Sequence, residues 1–174
     1  MRVLKSVTFV YGKREDRILA AINANSPEAW SCWLTRRLVL VLLEGAAKLV
    51  ATTSALAQRA PADIRGDLVA FERDAAIAKT ASAMSTTPPN VLKTSGATAE
   101  LVERLTISSQ GQHFRMELHG ENGVGAAGVV ARVELQRILQ MLQAEVVKAQ
   151  WLGTAVKSPA APTVEETGPK PARH

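Results

Sequence analysis

The sequence predicts an α+β fold in which a small antiparallel sheet packs against helices, and three observations lead to this expectation. A strand-like alternation followed by a long helical pattern occurs twice, and the second copy follows at a constant offset, with Phe114 standing 96 positions after Ile18. Hydrophobic residues make up 47% of the chain, which is enough for a core. Aromatic residues make up only 4%, so that core must be mainly aliphatic, which favours helix packing over a sandwich or barrel.

The first unit is expected over residues 1–83 and begins with a β-hairpin. Residues 3–10 and 17–23 alternate in polarity and form its two predicted strands. The register of the second strand stays open, because alternate residues give it an apolar set on either face.

A long helix is expected to follow this hairpin. Ser26, Pro27 and Glu28 indicate its start, because Ser accepts a backbone N–H, Pro suits the first helical position and Glu complements the positive end of the helix dipole. The pattern predicts that the helix runs to about Gln58 or Arg59.

One extra helix completes the first unit at about residues 61–83. Its apolar residues recur at helical spacing and predict a core-facing stripe. The stripe consists of Ile64, Leu68, Phe71, Ala75 and Ala78. Residues 84–100 are expected to be a linker, because Pro88 and Pro89 end the helix and the Ser, Thr and Gly content gives no periodic face.

The second unit is expected over residues 101–152 and repeats the pattern of the first. Residues 102–108 and 113–119 predict a hairpin, followed by a glycine-rich turn and a helix at about residues 129–151. The second strand is cleanly amphipathic, which is typical of a sheet with one face on helices and the other in water. Its apolar face is Phe114, Met116 and Leu118, and its polar face is His113, Arg115, Glu117 and His119. Residues 153–174 contain four prolines and predict a disordered tail.

The simplest assembly joins both hairpins into a four-stranded antiparallel sheet with the helices on one face. A lone hairpin is marginally stable, so the two units are expected to form one compact domain together.

The positive charge of the chain is concentrated near its beginning. The formal net charge is +5, and residues 1–60 hold nine basic and four acidic side chains, whereas residues 101–152 hold five of each. Any electrostatic binding site is therefore expected on the first unit.

The single cysteine excludes an internal disulfide framework. The N-terminal residues lack the apolar core of a signal peptide, and no apolar run approaches the length of about 20 residues that a membrane span needs. A cytoplasmic protein is expected.

The residues that could carry chemistry do not assemble into a recognisable site. Gly123, Gly125 and Gly128 form a GxGxxG pattern, but the preceding strand belongs to a hairpin and no second parallel strand follows, so no cofactor is expected. His113 and His119 lie about 20 Å apart along one strand, so they cannot share a metal ion. A structural role is expected for Cys32, because no His lies near it in sequence. The chain is therefore not expected to be an enzyme.

The first functional hypothesis is a non-catalytic binding or assembly protein that acts through protein–protein contacts. The first long helix is apolar on more than one face at residues 38–43, which indicates burial against a partner. A homodimer or another protein partner is expected there. The interface residues are Leu38, Leu40, Val41, Leu42 and Leu43.

The alternative is a single-stranded DNA- or RNA-binding protein that uses the basic first unit. Trp30, Trp33 and Tyr11 would offer stacking surfaces for bases. The proposed contacts to phosphate are Lys13, Arg14, Arg17, Arg36 and Arg37.

Overall fold

The computed structural model describes residues 1–80 and 96–152, and this part of the chain forms an α+β fold of seven strands and four helices. Most of the expected linker and the whole expected tail at residues 153–174 lie outside the described residues. The elements are β1 (Arg2–Val3), β2 (Val7–Gly12), β3 (Arg17–Ile22), β4 (Trp30–Leu34), α1 (Arg36–Thr52), α2 (Ala55–Arg59), α3 (Arg65–Thr80), β5 (Glu100–Gln110), β6 (His113–Gly120), β7 (Gly125–Ala131) and α4 (Arg132–Lys148).

All seven strands belong to one mixed sheet, which is larger than the expected four-stranded sheet. Their order is β1-β7-β6-β5-β4-β3-β2. Strands β2, β3 and β4 form an antiparallel meander, and strands β5, β6 and β7 form another. Each expected hairpin therefore has a third strand. The parallel pairs β4–β5 and β1–β7 connect the remaining neighbours.

The sheet curls until its two ends meet. Strands β1 and β2 lie at opposite ends of the strand order, yet only residues 4–6 separate them along the chain. Asn23 occupies this junction: its Oδ1 accepts the backbone N–H groups of Lys5 and Ser6, and its Nδ2 donates to the carbonyl of Val3. The side-chain amide thus replaces strand pairing where the chain passes from β1 to β2.

Strand β4 occupies residues that were expected to start a helix, so that prediction was wrong. Ser26 Oγ does accept the N–H of Glu28, but this contact belongs to a turn. Helix α1 begins later, after Thr35, whose side chain accepts the N–H of Leu38 at 3.3 Å. It ends at Thr52, and Ser54 caps the separate short helix α2.

The glycine-rich segment is mostly strand β7 and not a turn. Gly123 lies in the turn before it, with φ +75°, a conformation that favours glycine. Gly125 and Gly128 lie in the strand and allow close packing. A side chain at Gly128 would lie 2.8 Å from the carbonyl oxygen of Leu4, and one at Gly125 would contact the carbonyl oxygen of Leu118. Glycine is therefore needed where β7 lies against β6 and against Leu4, the residue that follows β1.

Helices α1 and α4 fill the inside of the curled sheet. Each buries a stripe at positions i, i+3, i+7 and i+11, which is the spacing of one helix face. These residues are Val39, Leu42, Ala46 and Val50 in α1, and Leu135, Ile138, Leu142 and Val146 in α4. They pack against the inward side chains of the strands. In β6 these are Phe114, Met116 and Leu118, as expected.

Helix α3 packs on α1 and α4 from outside, on the side away from the sheet. It lies within the expected range of the extra helix, of which residues 81–83 fall outside the described part of the chain, but its orientation differs from the expected one. Phe71 is 68% exposed and Ile64 is 43% exposed, although both belong to the stripe that was expected to face the core. Val69, Ala70 and Ile77 face α1 and α4 instead.

Among the described residues, the helices are too short or too polar to cross a lipid bilayer.

Candidate functional site

The basic residues proposed to contact nucleic acid lie at one end of the molecule. Lys13 and Arg14 are exposed in the turn between β2 and β3, and Arg17 is exposed at the first position of β3. Arg36 and Arg37 are exposed at the first two positions of α1. These five residues form the basic end of the molecule.

A hydrogen-bonded group around Trp151 joins the two parts of the basic end. Asp16 accepts the indole N–H of Trp151 at 2.8 Å and the hydroxyl of Tyr11 at 2.9 Å. The Arg36 guanidinium donates to the carbonyl oxygen of Trp151 at 2.6 Å. Trp151, three positions after the end of α4, therefore holds the β2–β3 turn next to the start of α1.

The same group fixes the charge of the basic end. The hydrogen bond from Trp151, followed by that from Tyr11, lowers the pKa of Asp16. Asp16 therefore stays ionised at neutral pH and partly offsets the surrounding positive charge. The hydrogen bond to Asp16 also raises the pKa of Tyr11, so this phenol stays neutral.

The aromatic side chains expected to stack on bases are mostly inaccessible. Trp30 and Trp33 are buried, and Trp30 Nε1 donates to Glu100 Oε1 at 2.6 Å. Trp33 packs with Leu19 and Ala21 on the outer face of the sheet. Any contact between the basic end and nucleic acid would therefore depend on phosphate and not on stacking.

The apolar segment at residues 38–43 is mostly covered within the chain itself. Leu42 is buried, while Leu38, Leu40 and Leu43 are half-buried and pack against the core. Val41 differs from them, because it is 63% exposed on the side of α1 away from the core. Most of the apolar surface of this segment is therefore buried within a single copy of the chain.

A second apolar surface lies on α3. Ile64, which immediately precedes the helix, and Phe71 are seven positions apart and lie on the same side of it. On this side Leu68 and Ala75 are half-buried and Ala78 is exposed. This surface is named the α3 outer stripe. The spacing of its residues was visible in the sequence, but the direction in which it faces was not.

Cys32 lies in an environment that suppresses its reactivity. It is fully buried in β4, and its Sγ lies 3.8 Å from the carbonyl oxygen of Ala20. Burial, and secondarily the negative charge of Glu100, raises the pKa of the Cys32 thiol to about 12. A nucleophilic cysteine needs the opposite shift.

His113 and His119 lie on the outer face of β6, at opposite ends of the strand. His119 is close to Glu117, whose pKa is lowered first by its hydrogen bond from Arg115 and then by that from His119. Across residues 1–80 and 96–152, no three His, Cys, Asp or Glu side chains come together as metal ligands would.

The residues that hold the basic end together were not predicted from the sequence. Asp16 and Trp151 are 135 positions apart, and neither position shows a local pattern that would pair it with the other. Comparison of the chain with protein-family models, with curated proteins and with solved structures found no match.

Proposed function

We propose that this chain is a non-catalytic binding protein that assembles through protein–protein contact, with a second copy of itself as the partner. The observation that carries the proposal is the α3 outer stripe, where Phe71 is 68% exposed. We propose the α3 outer stripe as the protein interface in place of the segment at residues 38–43.

The energetics of the α3 outer stripe favour such a contact. Burying a Phe side chain fully contributes about 1.5–3 kcal/mol relative to leaving it exposed. In a two-fold homodimer the α3 outer stripe of one copy faces the same stripe of the other. Each exposed apolar residue therefore contributes its burial free energy once from each copy. The surface therefore needs no second surface of complementary shape elsewhere on the molecule.

Sedimentation velocity with two matched substitutions tests this proposal. The wild-type protein is expected to be dimeric at about 100 µM, a concentration that detects weak association. Phe71→Gln is expected to give a monomer, whereas Val41→Gln, which removes a similarly exposed apolar side chain from α1, leaves the dimer intact. A monomeric wild type contradicts the second copy as partner, and a dimer lost only in Val41→Gln places the interface on α1.

We propose single-stranded nucleic-acid binding at the basic end as the second candidate function. It is supported by the contact of Arg36 with Trp151, which brings the β2–β3 turn and the start of α1 to one end of the molecule.

Fluorescence polarisation with a labelled 20-nucleotide poly(dT) tests this second candidate. Each phosphate neutralised on a single strand contributes about −0.7 to the slope of log affinity against log salt, so four contacts predict a slope of about −3. Changing Lys13, Arg14, Arg17 and Arg37 to Gln is expected to abolish binding. Arg36 is kept because it also holds Trp151. The control changes Arg59, Arg65, Arg73 and Lys79 on α2 and α3, and it has to bind like the wild type. Absence of binding at low salt contradicts the proposal.

We also infer that the two halves of the chain are copies of one unit of three strands and a helix. The inference is supported by α1 and α4, which are each 17 residues long and start 96 positions apart at Arg36 and Arg132. The four buried residues of α4 likewise lie 96 positions after the four of α1. In this view the second copy is the scaffold, and partners bind at the surfaces of the first half, the basic end among them.

A further inference from the structure

Charged residues of opposite sign border the two sides of the α3 outer stripe. The residues of the stripe recur alternately four and three positions apart, which is the spacing of a coiled-coil seam. Asp67 and Asp74 each directly precede a residue of the stripe and border one side of it, whereas Arg65 and Lys79 each directly follow one and border the other side. All four side chains are exposed. The stripe therefore has an acidic flank, Asp67 and Asp74, and a basic flank, Arg65 and Lys79.

Contacts within the chain leave the charge of both flanks accessible to a partner. Asp74 pairs with Arg73 at 3.3 Å, but both side chains are at least 60% exposed, so this ion pair contributes little. Arg65 Nε donates to the carbonyl oxygen of Ala60, and the side chain stays exposed. Glu72 also lies on the side of the basic flank, but it is half-buried and one of its carboxylate oxygens is inaccessible.

We infer that the second copy of the chain binds in parallel, so that α3 runs in the same direction in both copies. This inference rests on the proposed dimer contact at the α3 outer stripe. A two-fold axis that runs along the helices makes them parallel, and the acidic flank of each copy then faces the basic flank of the other. A two-fold axis perpendicular to the helices makes them antiparallel, and each flank then faces the same flank of the other copy.

Only the parallel arrangement brings opposite charges together. In a parallel pair, a residue that precedes the seam faces a residue about five positions later on the other helix, so Asp74 faces Lys79 of the second copy. Two-fold symmetry forms this ion pair twice. In the antiparallel pair, Asp67 faces Asp74 of the second copy and Arg65 faces Lys79 of the second copy. Glu72 faces an acidic residue in either arrangement, so it does not decide between them.

Charge reversal at Lys79 distinguishes the two arrangements by the sign of its effect. Lys79→Glu is expected to raise the Kd of the full-length dimer about tenfold, because Asp74 then faces a carboxylate at two symmetry-related positions. In an antiparallel dimer the same change lowers the Kd, since Arg65 of the second copy gains an opposite charge. Arg104→Glu makes an equal change of charge at an exposed position of β5 and should keep the Kd within about twofold. Sedimentation equilibrium over a series of protein concentrations measures these values.

Disulfide cross-linking determines the arrangement independently of charge. Ile64 and Ala78 lie at opposite ends of the stripe, roughly 20 Å apart along the helix, and a disulfide needs Cα atoms within about 7 Å. In the parallel dimer, Ile64→Cys and Ala78→Cys are each expected to link to the same residue of the second copy. In an antiparallel dimer, a link forms only when the two variants are mixed. Val41→Cys on α1 is the exposed control that should not link. Cys32 does not interfere, because burial raises its pKa to about 12.

The possible results separate this inference from the proposed dimer. Linking of Ala78→Cys to itself, together with a weaker Lys79→Glu dimer, supports the parallel arrangement. A dimer that links only in the mixture of variants, or that Lys79→Glu tightens, overturns the parallel arrangement and leaves the contact at the α3 outer stripe in place. A monomeric wild type overturns both the contact and the inference, and a dimer in which neither variant links overturns the inference.

Discussion

At the scale of single residues, Asn23 shows how one side chain can complete a sheet. It is 3% exposed and has a φ of +50°, a left-handed conformation that Asn tolerates better than most residues. Its side-chain amide makes three hydrogen bonds to the backbone between β1 and β2. Both its conformation and its donor–acceptor pattern are therefore required.

Replacing Asn23 with Ala is expected to destabilise the protein by about 2–4 kcal/mol, because three backbone groups lose their partner and each bond contributes about 0.5–1.5 kcal/mol. Urea denaturation measures the change. Asn25→Ala, an exposed change in the same turn, is the control and should stay within about 0.5 kcal/mol of the wild type. Equal effects from both variants would show that Asn23 does not hold the junction.

Cys32 gives a second prediction at this scale, on reactivity. Because burial raises its pKa to about 12, almost no thiolate exists in the folded protein at pH 8. The thiol is expected to react with Ellman's reagent only as fast as the protein unfolds, and at once in guanidinium chloride. Because the folded protein keeps the thiol protonated, Cys32 makes no pH-dependent contribution to the free energy of unfolding near pH 7. Above the ordinary cysteine pKa of about 8.5 the unfolded state ionises first, so the free energy of unfolding should fall as the pH rises. Fast labelling of the native protein would contradict the buried position.

At the scale of elements, α1 and α4 stabilise each other's ends through arginine. Arg132, the first residue of α4, donates to the carbonyl oxygens of Val50 and Thr53 at the end of α1 and lies 5.3 Å from the centre of the Phe114 ring. Arg36, the first residue of α1, donates to the carbonyl oxygen of Trp151 just after α4. Cations are favourable at helix C-termini, so each contact stabilises the partner helix.

Substituting these arginines tests the mutual capping. Arg132→Gln is expected to cost about 2–3 kcal/mol of stability, since three hydrogen bonds from the guanidinium, to Val50 O, Thr53 O and Thr53 Oγ1, and a ring contact are lost. Arg36→Gln, which loses one part-buried hydrogen bond, is expected to cost about 0.5–1 kcal/mol. Arg37→Gln is the matched control for Arg36 and should be neutral. Thermal unfolding monitored by circular dichroism separates these outcomes, and a neutral Arg132→Gln would exclude capping as a source of stability.

Elements that depend on local periodicity could be predicted from the sequence. Strand β6 has the expected amphipathic pattern, and α3 lies near its expected bounds. Strand β4 could not be separated from a helix, because Ser26 and Pro27 form a strong helix-start signature, while the mostly apolar run Trp30–Leu34 shows no clean period of two. Tertiary pairing with β3 decided between these two local preferences.

At the scale of the whole molecule, the features that could not be predicted are those that join distant segments. The parallel pairs β4–β5 and β1–β7 and the contact of Trp151 with Asp16 have no local sequence signal. The two proposed interaction surfaces also differ in how far the sequence could predict them. The basic end could be proposed from its charge, but the α3 outer stripe was expected to be buried, because spacing defines a helix face without defining its direction.

The packing of α3 leads to the last prediction, on how stability is distributed over the molecule. Helices α1 and α4 lie inside the curled sheet, whereas α3 covers a cavity and exposes Phe71. Segments with few buried apolar contacts open at a lower free energy than the core. In hydrogen–deuterium exchange, amides of residues 65–80 are therefore expected to exchange at least about tenfold faster than those of α1 and α4 in a dilute monomer. Raising the protein concentration should slow exchange in α3 alone if the α3 outer stripe is the dimer contact. Equal protection of the three helices at low concentration would show that α3 is an integral part of the core.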